Sequence, residues 1–418
     1  MASVPLPLEL PLPSTVDFED AAWLAAHAGL PDATSSTVSP PAATDGLSSA
    51  SLQRVLVARA PPSPPLHLVL KRTPPSALAR DYGLAREALF YASALPRLAP
   101  ALALPRVLLA RGDVRTGAKA VLMERVEGAQ CGAFYGAGSP LNWGKDLAAA
   151  CAAGGGSGSG SGSGAPPPPV EAVTAAAFAA AAALHAAFWR APELLAHEWL
   201  ARSEGEWLAA QRSAADAWAG AVRGGSGSGE GGVRWSVRLV AIVEASLQRA
   251  EWRAHAADGA RARAAAGRHF TLLHGDFHPA NCVLQQRRSG GSEGSGGGEL
   301  SVVLLDWEAV RAGAGAGAEL GQYAISHMAP AARRQGERAR VEAYHAALAR
   351  ASARAGAEYS AEDAWRDYVW GGAERWVWLL ALLAGLCPPP AVQYFHDQLL
   401  AFCEDHGVTP EAVGMPRV

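Results

Sequence analysis

Residues 271–284 read Thr-Leu-Leu-His-Gly-Asp-Phe-His-Pro-Ala-Asn-Cys-Val-Leu, with Asp276 and Asn281 in the central polar part. An apolar run leads into this polar loop and a second apolar run leads out, which predicts two strands joined by the loop. A further apolar run, 301–305, ends at Asp306 and predicts the second strand of a hairpin. Because the strands of a hairpin lie side by side, Asn281 and Asp306 are expected to lie near one another.

The spacing of these polar residues suits phosphoryl transfer. That reaction needs one carboxylate to orient the acceptor hydroxyl, together with oxygen ligands for magnesium on the phosphates. A kinase catalytic loop has an Asp, four residues and then a metal-binding Asn, and Asp276 and Asn281 stand at that spacing. The alternative is a polar turn between two core strands. The additional Asp306 at the end of the following strand makes the functional interpretation the more specific one.

This pattern, His-Gly-Asp-Phe-His-Pro-Ala-Asn followed by Leu-Leu-Asp-Trp-Glu, resembles the aminoglycoside phosphotransferase and choline-kinase-like (CHK kinase-like) superfamily. The resemblance implies a protein-kinase-like fold that uses ATP and Mg2+. It also implies that Asp276 is the catalytic base and that Asn281 and Asp306 bind magnesium. In the same loop, it implies that His274 holds the backbone, and it includes His278 as a residue of the loop.

The nucleotide half of such a site needs a cation for the phosphates and an acid to orient it. Lys71 ends a predicted strand, in a chain where only three of 36 basic residues are lysines. Glu87 lies next to the apolar stripe of a predicted helix and resembles the lysine's partner. The alternatives are a solvated strand end for Lys71 and a surface pairing of Glu87 with Arg80 or Arg86.

The resemblance also suggests where a nucleotide would bind. The apolar run 121–128 resembles the hinge between two lobes, whose backbone binds adenine, and it assigns Met123, Glu124 and Val126 to the nucleotide. The Ser-rich turn 46–51, with Ser49, stands where the family has its phosphate loop. It lacks a G-x-G-x-x-G pattern, and many Ser-rich turns have no such role.

The pattern of elements predicts an α+β, bilobal, protein-kinase-like fold: a small antiparallel β-sheet N-lobe with one long helix, and a larger helical C-lobe. We assign residues 1–123 to the N-lobe, 124–128 to the hinge and 129–418 to the C-lobe. Gly/Ser-rich inserts are predicted at 154–169, 224–232 and 289–298. Strands are predicted at 53–58, 66–71, 106–110 and 120–126, and helices at 17–30, 76–95, 170–189, 233–257, 331–355 and 362–386.

Composition narrows the class of protein. The net charge of −3 argues against nucleic acid as a partner. Five scattered cysteines without a C-x-x-C pair argue against a zinc site and a disulfide framework. No basic residue precedes Arg54, which argues against a secretory signal, and the longest strongly apolar run, 376–386, is shorter than the roughly 20 residues of a membrane span. These features predict a cytoplasmic protein without a membrane span. The oligomeric state stays open.

The acceptor is expected to be a small molecule with a hydroxyl group. Glu308 could touch it, and a C-terminal region rich in aromatic and acidic residues would suit a cationic, choline-like group. The same aromatics at helical spacing are more typical of a packing core. Two rival functions are a catalytically inactive kinase-fold binding module and a two-metal phosphoesterase, since Asp276-x-His278 also fits the latter's first metal motif. The further histidine motifs of that class are missing from the sequence.

Overall fold

The computed structural model describes residues 9–10, 17–40, 51–152, 167–224, 232–287 and 299–418. Ser49 and most of the predicted Gly/Ser-rich inserts lie outside the described residues. Within them, an antiparallel sheet in the N-terminal part is followed by a mainly helical C-terminal part. The predicted α+β class, with a small sheet lobe and a larger helical lobe, is therefore confirmed.

The N-terminal sheet has six antiparallel strands in the order β1-β5-β6-β4-β3-β2. Alternation of side chains gives it two buried faces. Leu68 and Leu70 pack with helix α1 on one face, whereas Val121 and Met123 lie against the helix Arg86–Ala92 on the other. The strands are β1 (Glu9–Leu10), β2 (Ala33–Val38), β3 (Ser51–Arg59), β4 (Leu66–Thr73), β5 (Val107–Asp113) and β6 (Lys119–Glu124), and α1 spans Ala21–Ala28.

The prediction of one long helix over 76–95 is wrong in detail. The segment forms three short helices, α2 (Ala77–Tyr82), α3 (Arg86–Ala92) and α4 (Leu95–Leu98). Gly83 ends α2 with a left-handed backbone, φ +69°, and its N–H donates to the Ala79 carbonyl. A glycine in this conformation is a common helix stop, and it redirects the chain so that α3 can pack on the sheet.

Two small sheets carry the segment around Asp276. In the first, β9 (Cys282–Arg287) pairs antiparallel with β10 (Glu299–Leu304) and with β7 (Ala129–Gln130). In the second, β8 (Thr271–Leu273) pairs with β11 (Arg311–Gly313). The predicted hairpin is confirmed, because Cys282 is opposite Leu304 and the Leu305 N–H donates to the Asn281 carbonyl at 2.9 Å.

The C-terminal part is built mostly from helices, and several predicted long helices are interrupted. The predicted helix 233–257 is two helices, and 331–355 is three. A π-turn, Asp367–Gly371, interrupts the helix predicted over 362–386. Helices α5, α7, α10 and α17 were not predicted. The helices are α5 (Leu147–Ala152), α6 (Val170–Ala187), α7 (Glu204–Gly224), α8 (Val237–Gln248), α9 (Trp252–Ala257), α10 (Ala260–Ala265), α11 (Ala316–His327), α12 (Pro330–Arg334), α13 (Glu337–Ala351), α14 (Ala353–Glu358), α15 (Ala361–Arg366), α16 (Gly372–Leu386) and α17 (Pro389–Asp405).

One large core joins α3 to the helical part. The Phe90 ring of α3 stacks on Trp307 with a centroid distance of 4.1 Å, which ties the helix carrying Glu87 to the segment after Asp306. Among the described helices, α6 alone is long and apolar enough to cross a membrane. Its Val173, Ala177 and Leu184 side chains are fully buried within the core. The core helix of a globular protein can be as long and as apolar as a helix that crosses a membrane.

Candidate active site

A sharp turn places Asp276 directly after strand β8. Gly275 has φ +83°, and a Cβ atom there would lie only 1.9 Å from the Ala309 carbonyl oxygen, so glycine is needed at this position. The His274 ring holds the two sides of the site together: its Nε2 lies 2.8 Å from the Leu305 carbonyl oxygen. Its Nδ1 accepts the Asp276 N–H at 3.3 Å. His274 thereby links the loop to the strand that ends at Asp306.

A buried carboxylate fixes the backbone of the same turn. Glu319, in the first turn of α11, accepts the N–H groups of His274 at 3.2 Å and Gly275 at 2.6 Å. His185 Nε2 contacts the same carboxylate at 2.9 Å, and its Nδ1 contacts the Tyr344 hydroxyl at 2.7 Å. Burial raises the pKa of Glu319, but the hydrogen bonds and charge of His185 outweigh this and lower it. Glu319 therefore stays a carboxylate that can hold the loop.

Asp276 presents its carboxylate at a partly open position, with a third of the side chain exposed. Asn281 Nδ2 donates to its Oδ2 at 3.1 Å, and Gln322 Nε2 donates to its Oδ1 at 2.7 Å. His278 Nε2 lies 3.4 Å from Oδ2. Burial raises the pKa of Asp276, but His278 and then Arg375 outweigh it, so the pKa lies well below its usual value. The group is an anion that can accept a hydrogen bond from a hydroxyl.

Gln322 and Arg375 support the loop that carries Asp276, and neither residue was predicted from the sequence. Arg375 donates to the Gly275 carbonyl at 2.6 Å and to the Gln322 side-chain oxygen at 3.3 Å. Gln322 lies 46 residues from Asp276 along the chain, and Arg375 lies 100 residues from Gly275. No local sequence pattern predicts such contacts, because they depend on how α11 and α16 pack against the loop.

Asn281 and Asp306 lie on the same edge of the hairpin. Asn281 Nδ2 donates to the backbone carbonyl of Asp276 as well as to its carboxylate, which leaves the amide oxygen as its ligand-type atom. Asp306 takes a left-handed conformation, φ +65°, at the end of β10, and its side chain is more than a third exposed. Both residues can therefore offer a hard oxygen atom at this edge of the hairpin.

Five charged side chains form what we call the ion cluster: Lys71, Glu87, Lys119, Asp306 and Glu308. Lys71 Nζ lies 2.6 Å from Asp306 Oδ1, 2.8 Å from Glu308 Oε1 and 3.0 Å from Glu87 Oε2. Lys119 Nζ contacts the same Glu87 and Glu308 oxygens. The sequence prediction paired Lys71 with Glu87. The structure brings these two together and adds Lys119, which the sequence interpretation had left without a role.

One signal could have indicated Lys119. Lys119, Val121 and Met123 alternate along β6, so all three point to the face that packs on α3. A lysine at such a position is buried, and a buried charge needs a partner. Lys119 is in fact 1% exposed. Its requirement for a carboxylate follows from the strand register alone, but the identity of that carboxylate does not.

The electrostatics of the ion cluster divide its acids into two kinds. Burial and the neighbouring Glu308 carboxylate raise the pKa of Asp306 to about 6. Burial also raises the pKa of Glu308, but the ammonium groups of Lys119 and Lys71 outweigh it and lower the value to about 2. Of these two carboxylates, Asp306 is the one whose negative charge is less compensated by neighbouring positive charge. A cation beside it would stabilise its ionised form.

The ion cluster also contains a set of metal-ligand atoms. One carboxylate oxygen each from Glu87, Asp306 and Glu308 lie within 4.8 Å of one another. Carboxylate oxygens are the ligands that Mg2+ prefers. Here, however, Lys71 Nζ lies within 3.0 Å of an oxygen of each of the three acids, so Asp306, whose side chain is more than a third exposed, is the member best able to offer an oxygen to the predicted metal. Of the three, only Asp306 was predicted as a ligand. The predicted ligand Asn281 is not one of this group, but it lies on the Asp276 side of the same hairpin.

The residues predicted to contact the adenine lie at the end of β6. Met123 is buried on the α3 face, and Glu124 pairs with Arg106 at 2.7 Å. The Glu124 N–H donates to the Arg106 carbonyl at 2.8 Å, so this amide is already used within the sheet. Val126 is half-buried just beyond the strand. Contacts of Glu124 and Val126 with adenine stay predictions.

The residues considered for the acceptor have other partners. Glu308 belongs to the ion cluster, and Glu374 pairs with Arg417 at 2.8 Å. Trp376 and Trp378 are both buried in the main core. These contacts fit the packing interpretation of the C-terminal aromatics. The acceptor-binding surface is therefore not defined by these side chains.

Two solved structures match this chain over about nine tenths of its length. An aminoglycoside phosphotransferase from Alicyclobacillus acidocaldarius matches with 13% identity over 90% of this chain and 91% of that one, at a TM-score of 0.41. A choline kinase from Cryptosporidium parvum matches with 9% identity over 90% and 92% of the two chains, at a TM-score of 0.37. No protein-family model and no curated protein matches the sequence. With both TM-scores below 0.5, similarity at this level does not transfer a function.

Proposed function

We propose that this protein is a phosphotransferase that moves the γ-phosphoryl group of ATP to a hydroxyl group of a small molecule. The observation that carries the proposal is the convergence of three separate chain segments on one site. Asp276, Asn281 and Asp306 surround one edge of the hairpin, and Lys71 reaches Asp306 from the N-terminal sheet at 2.6 Å. An anionic base, oxygen ligands and a phosphate-binding cation are the parts that this chemistry needs.

Asp276 is the proposed catalytic base. Its carboxylate is ionised, partly exposed and held by Asn281 and Gln322, so it can accept a hydrogen bond from the acceptor hydroxyl. In a loose transition state the acceptor needs orientation more than deprotonation. A carboxylate with a low pKa is a weak base but a fixed acceptor, which suits an orienting role. His274 and Glu319 would act through the backbone as positioning residues.

The proposed cofactors are ATP and Mg2+. Asn281 and Asp306 would hold the magnesium, which when bound supplies positive charge to the phosphate oxygens. Lys71 would bind the phosphates, with Glu87 fixing its ammonium group from the buried side. Met123, Glu124 and Val126 are the proposed nucleotide-binding residues, and Ser49 is a further candidate outside the described residues.

The wider setting also belongs to the proposal. We also propose the division of the chain into an N-lobe (1–123), a hinge (124–128) and a C-lobe (129–418), with the proposed nucleotide-binding residues in the N-lobe and the hinge. His278 Nε2, 3.4 Å from Asp276 Oδ2, would stabilise the ionised carboxylate of the base. We expect a small-molecule acceptor and a cytoplasmic location. The two similar structures act, by their names, on an aminoglycoside and on choline, and neither name assigns an acceptor here.

The test is transfer of label from γ-labelled ATP with magnesium to a panel of hydroxyl compounds, using the full chain. Asp276→Asn is expected to lower turnover by about 10²–10⁴-fold, the usual contribution of general base catalysis. Asp216→Asn, an exposed aspartate of α7, is the matched control and should leave turnover unchanged.

Three results would overturn the proposal. Equal turnover in the wild type and Asp276→Asn would exclude Asp276 as the base. ATP binding without transfer to any acceptor would indicate a kinase-fold binding module. Metal-dependent hydrolysis of phosphoesters without ATP would indicate a phosphoesterase.

A further inference from the structure

A second concave site lies in the helical part, apart from the ion cluster. It is a cavity of about 220 Å³ between α9, α10, β11 and the segment 415–418. No member of the ion cluster lines it. The volume is several times the roughly 30 Å³ that one water molecule occupies in the liquid, so it can take a small ligand. Much of its wall is apolar, including Leu200, Trp252, Met415 and Val418.

Arginine side chains dominate the polar part of this wall. Arg202, Arg311 and Arg417 line the cavity, with Arg261 at its more exposed side. The lining contains one acid, Asp258, and that carboxylate already pairs with Arg263 at 3.1 Å. The wall therefore carries a clear excess of positive charge.

Two of these arginines are poorly compensated. Within the part of the chain that the structure describes, neither Arg202 nor Arg311 has a carboxylate within 4.0 Å, whereas Arg417 pairs with Glu374 at 2.8 Å. Arg202 donates one long hydrogen bond, 3.4 Å, to the Asp81 carbonyl. Partly buried guanidinium groups are normally paired, because removing their charge from water is costly.

Burial, and then the charge of neighbouring arginines, lowers the pKa values of these groups. Burial, and then the charge of Arg86, lowers the pKa of Arg202 to about 9. Burial, and then Arg375, lowers the pKa of Arg311 to about 10. His255 lies among the same guanidinium groups, and burial followed by Arg311 and Arg202 lowers its pKa to about 3. Its ring is therefore neutral at pH 7 and adds hydrogen-bonding capacity without charge.

The chemistry of such a wall selects the ligand. Guanidinium groups bind planar or tetrahedral oxyanions through paired, charge-assisted hydrogen bonds, and these are strengthened where water is excluded. Two guanidinium groups without a carboxylate partner, with the paired Arg417 beside them, match a dianion better than a monoanion. From the cavity, its uncompensated arginines and its size, we propose that it is a binding site for a phosphate group, supplied by inorganic phosphate or by a small phosphomonoester.

The experiment is calorimetric titration of the full chain with inorganic phosphate at constant ionic strength. Arg311→Gln and Arg202→Gln remove the charge from two different elements, so the failure of one variant to fold leaves the other. Each lost charge-assisted bond is expected to weaken phosphate binding by roughly tenfold or more. Arg253→Gln, an exposed arginine on α9 that does not line the cavity, should bind phosphate like the wild type.

The position of the bound phosphate is determined from the histidine ring signals in nuclear magnetic resonance spectra. Phosphate should shift the signals of His255 and leave those of His67, which is exposed on β4, in place. A parallel titration with glycerol phosphate separates the two sources: tighter binding than phosphate indicates a phosphomonoester ligand. Unchanged affinity in both cavity variants, or phosphate binding that leaves His255 unshifted, would overturn the proposal. Absence of saturable binding by either compound would do so too.

Discussion

The ammonium groups of Lys71 and Lys119 meet at the same carboxylate oxygen, Oε2 of Glu87. The register of the sheet explains this meeting. Lys71 is opposite Val121 and Lys119 is two residues before it, so the two lysines are diagonal neighbours on one face. Two like charges at this distance are tolerated because Glu87 and Glu308 lie between them. The pair makes Lys71 part of a network instead of a single ion pair.

The first prediction concerns Lys119. Lys119→Met should lower the free energy of unfolding by about 3–5 kcal/mol, because removing one partner of a buried ion pair leaves the other charges uncompensated. The measurement is urea denaturation at pH 7. Lys145→Met, the same change at an exposed site, is the control and should cost less than about 1 kcal/mol. Equal stability of the two variants would show that Lys119 is not needed by the cluster.

The second prediction concerns Glu319 and its contacts with the loop. Glu319→Gln keeps the shape of the side chain but replaces one acceptor oxygen by a donor, so a buried N–H of His274 or Gly275 loses its partner. A loss of about 1–3 kcal/mol in stability is expected from the unsatisfied group. If the proposed function holds, turnover should also fall while the affinity for ATP changes little.

Thermal unfolding and a comparison of kcat with KM test this second prediction. Glu342→Gln on α13, whose side chain is half exposed, is the control and should leave both stability and turnover near wild type. A Glu319→Gln variant with wild-type kcat would show that the carboxylate does not position the catalytic loop.

The third prediction concerns Gly275. Gly275→Ala would place a Cβ atom 1.9 Å from the Ala309 carbonyl oxygen, in addition to the left-handed strain of φ +83°. Gly29→Ala is a matched control, since Gly29 has a left-handed backbone, φ +65° and ψ +36°, and open space around its Cβ position. The control should lose about 1–2 kcal/mol, the usual cost of a left-handed alanine.

The two glycine variants are compared by urea denaturation. Gly275→Ala should lose clearly more free energy than Gly29→Ala, and the excess measures the clash with Ala309. Similar losses in the two variants would mean that the turn relaxes easily and that Asp276 is less rigidly held than its contacts suggest.

The fourth prediction concerns pH and His255. Its pKa is about 3 in the folded chain because of burial and the nearby Arg311 and Arg202, against an ordinary value of roughly 6.5 when unfolded. Between these values the unfolded chain binds more protons, so stability rises with pH there and falls as the solution is acidified. The contribution of this one group is at most about 1.4 kcal/mol per pH unit.

The measurement is the free energy of unfolding at pH 6.5 and pH 5. His255→Gln should reduce the loss of stability between these two values, because the glutamine cannot take up the proton. His67→Gln, at an exposed site on β4, should show the wild-type loss. An unchanged pH dependence in His255→Gln would show that protonation of His255 does not cause this loss of stability.

The local part of the candidate site was predictable because its residues are close in the sequence. Asp276 and Asn281 share one loop, and a hairpin fixes Asp306 beside them whatever the length of the turn. The apolar run of β4 predicted a strand that ends at Lys71, whereas the strand continues to Thr73, so Lys71 lies within it. The continuous helix predicted over 76–95 failed because Gly83 stops α2, a stop that helical periodicity does not reveal by itself.

The sequence by itself determined the α+β class, the strand–loop–strand carrying Asp276, and the order of the charged residues along the chain. Only the tertiary structure decided that Lys119 shares Glu87 with Lys71, that Glu319 holds the turn at Gly275, and that three arginines enclose one cavity. The physical reason is the distance along the chain over which each kind of interaction acts. Strand alternation and turn chemistry act over a few residues, whereas the partner of a buried charge is chosen by whichever distant segment packs beside it.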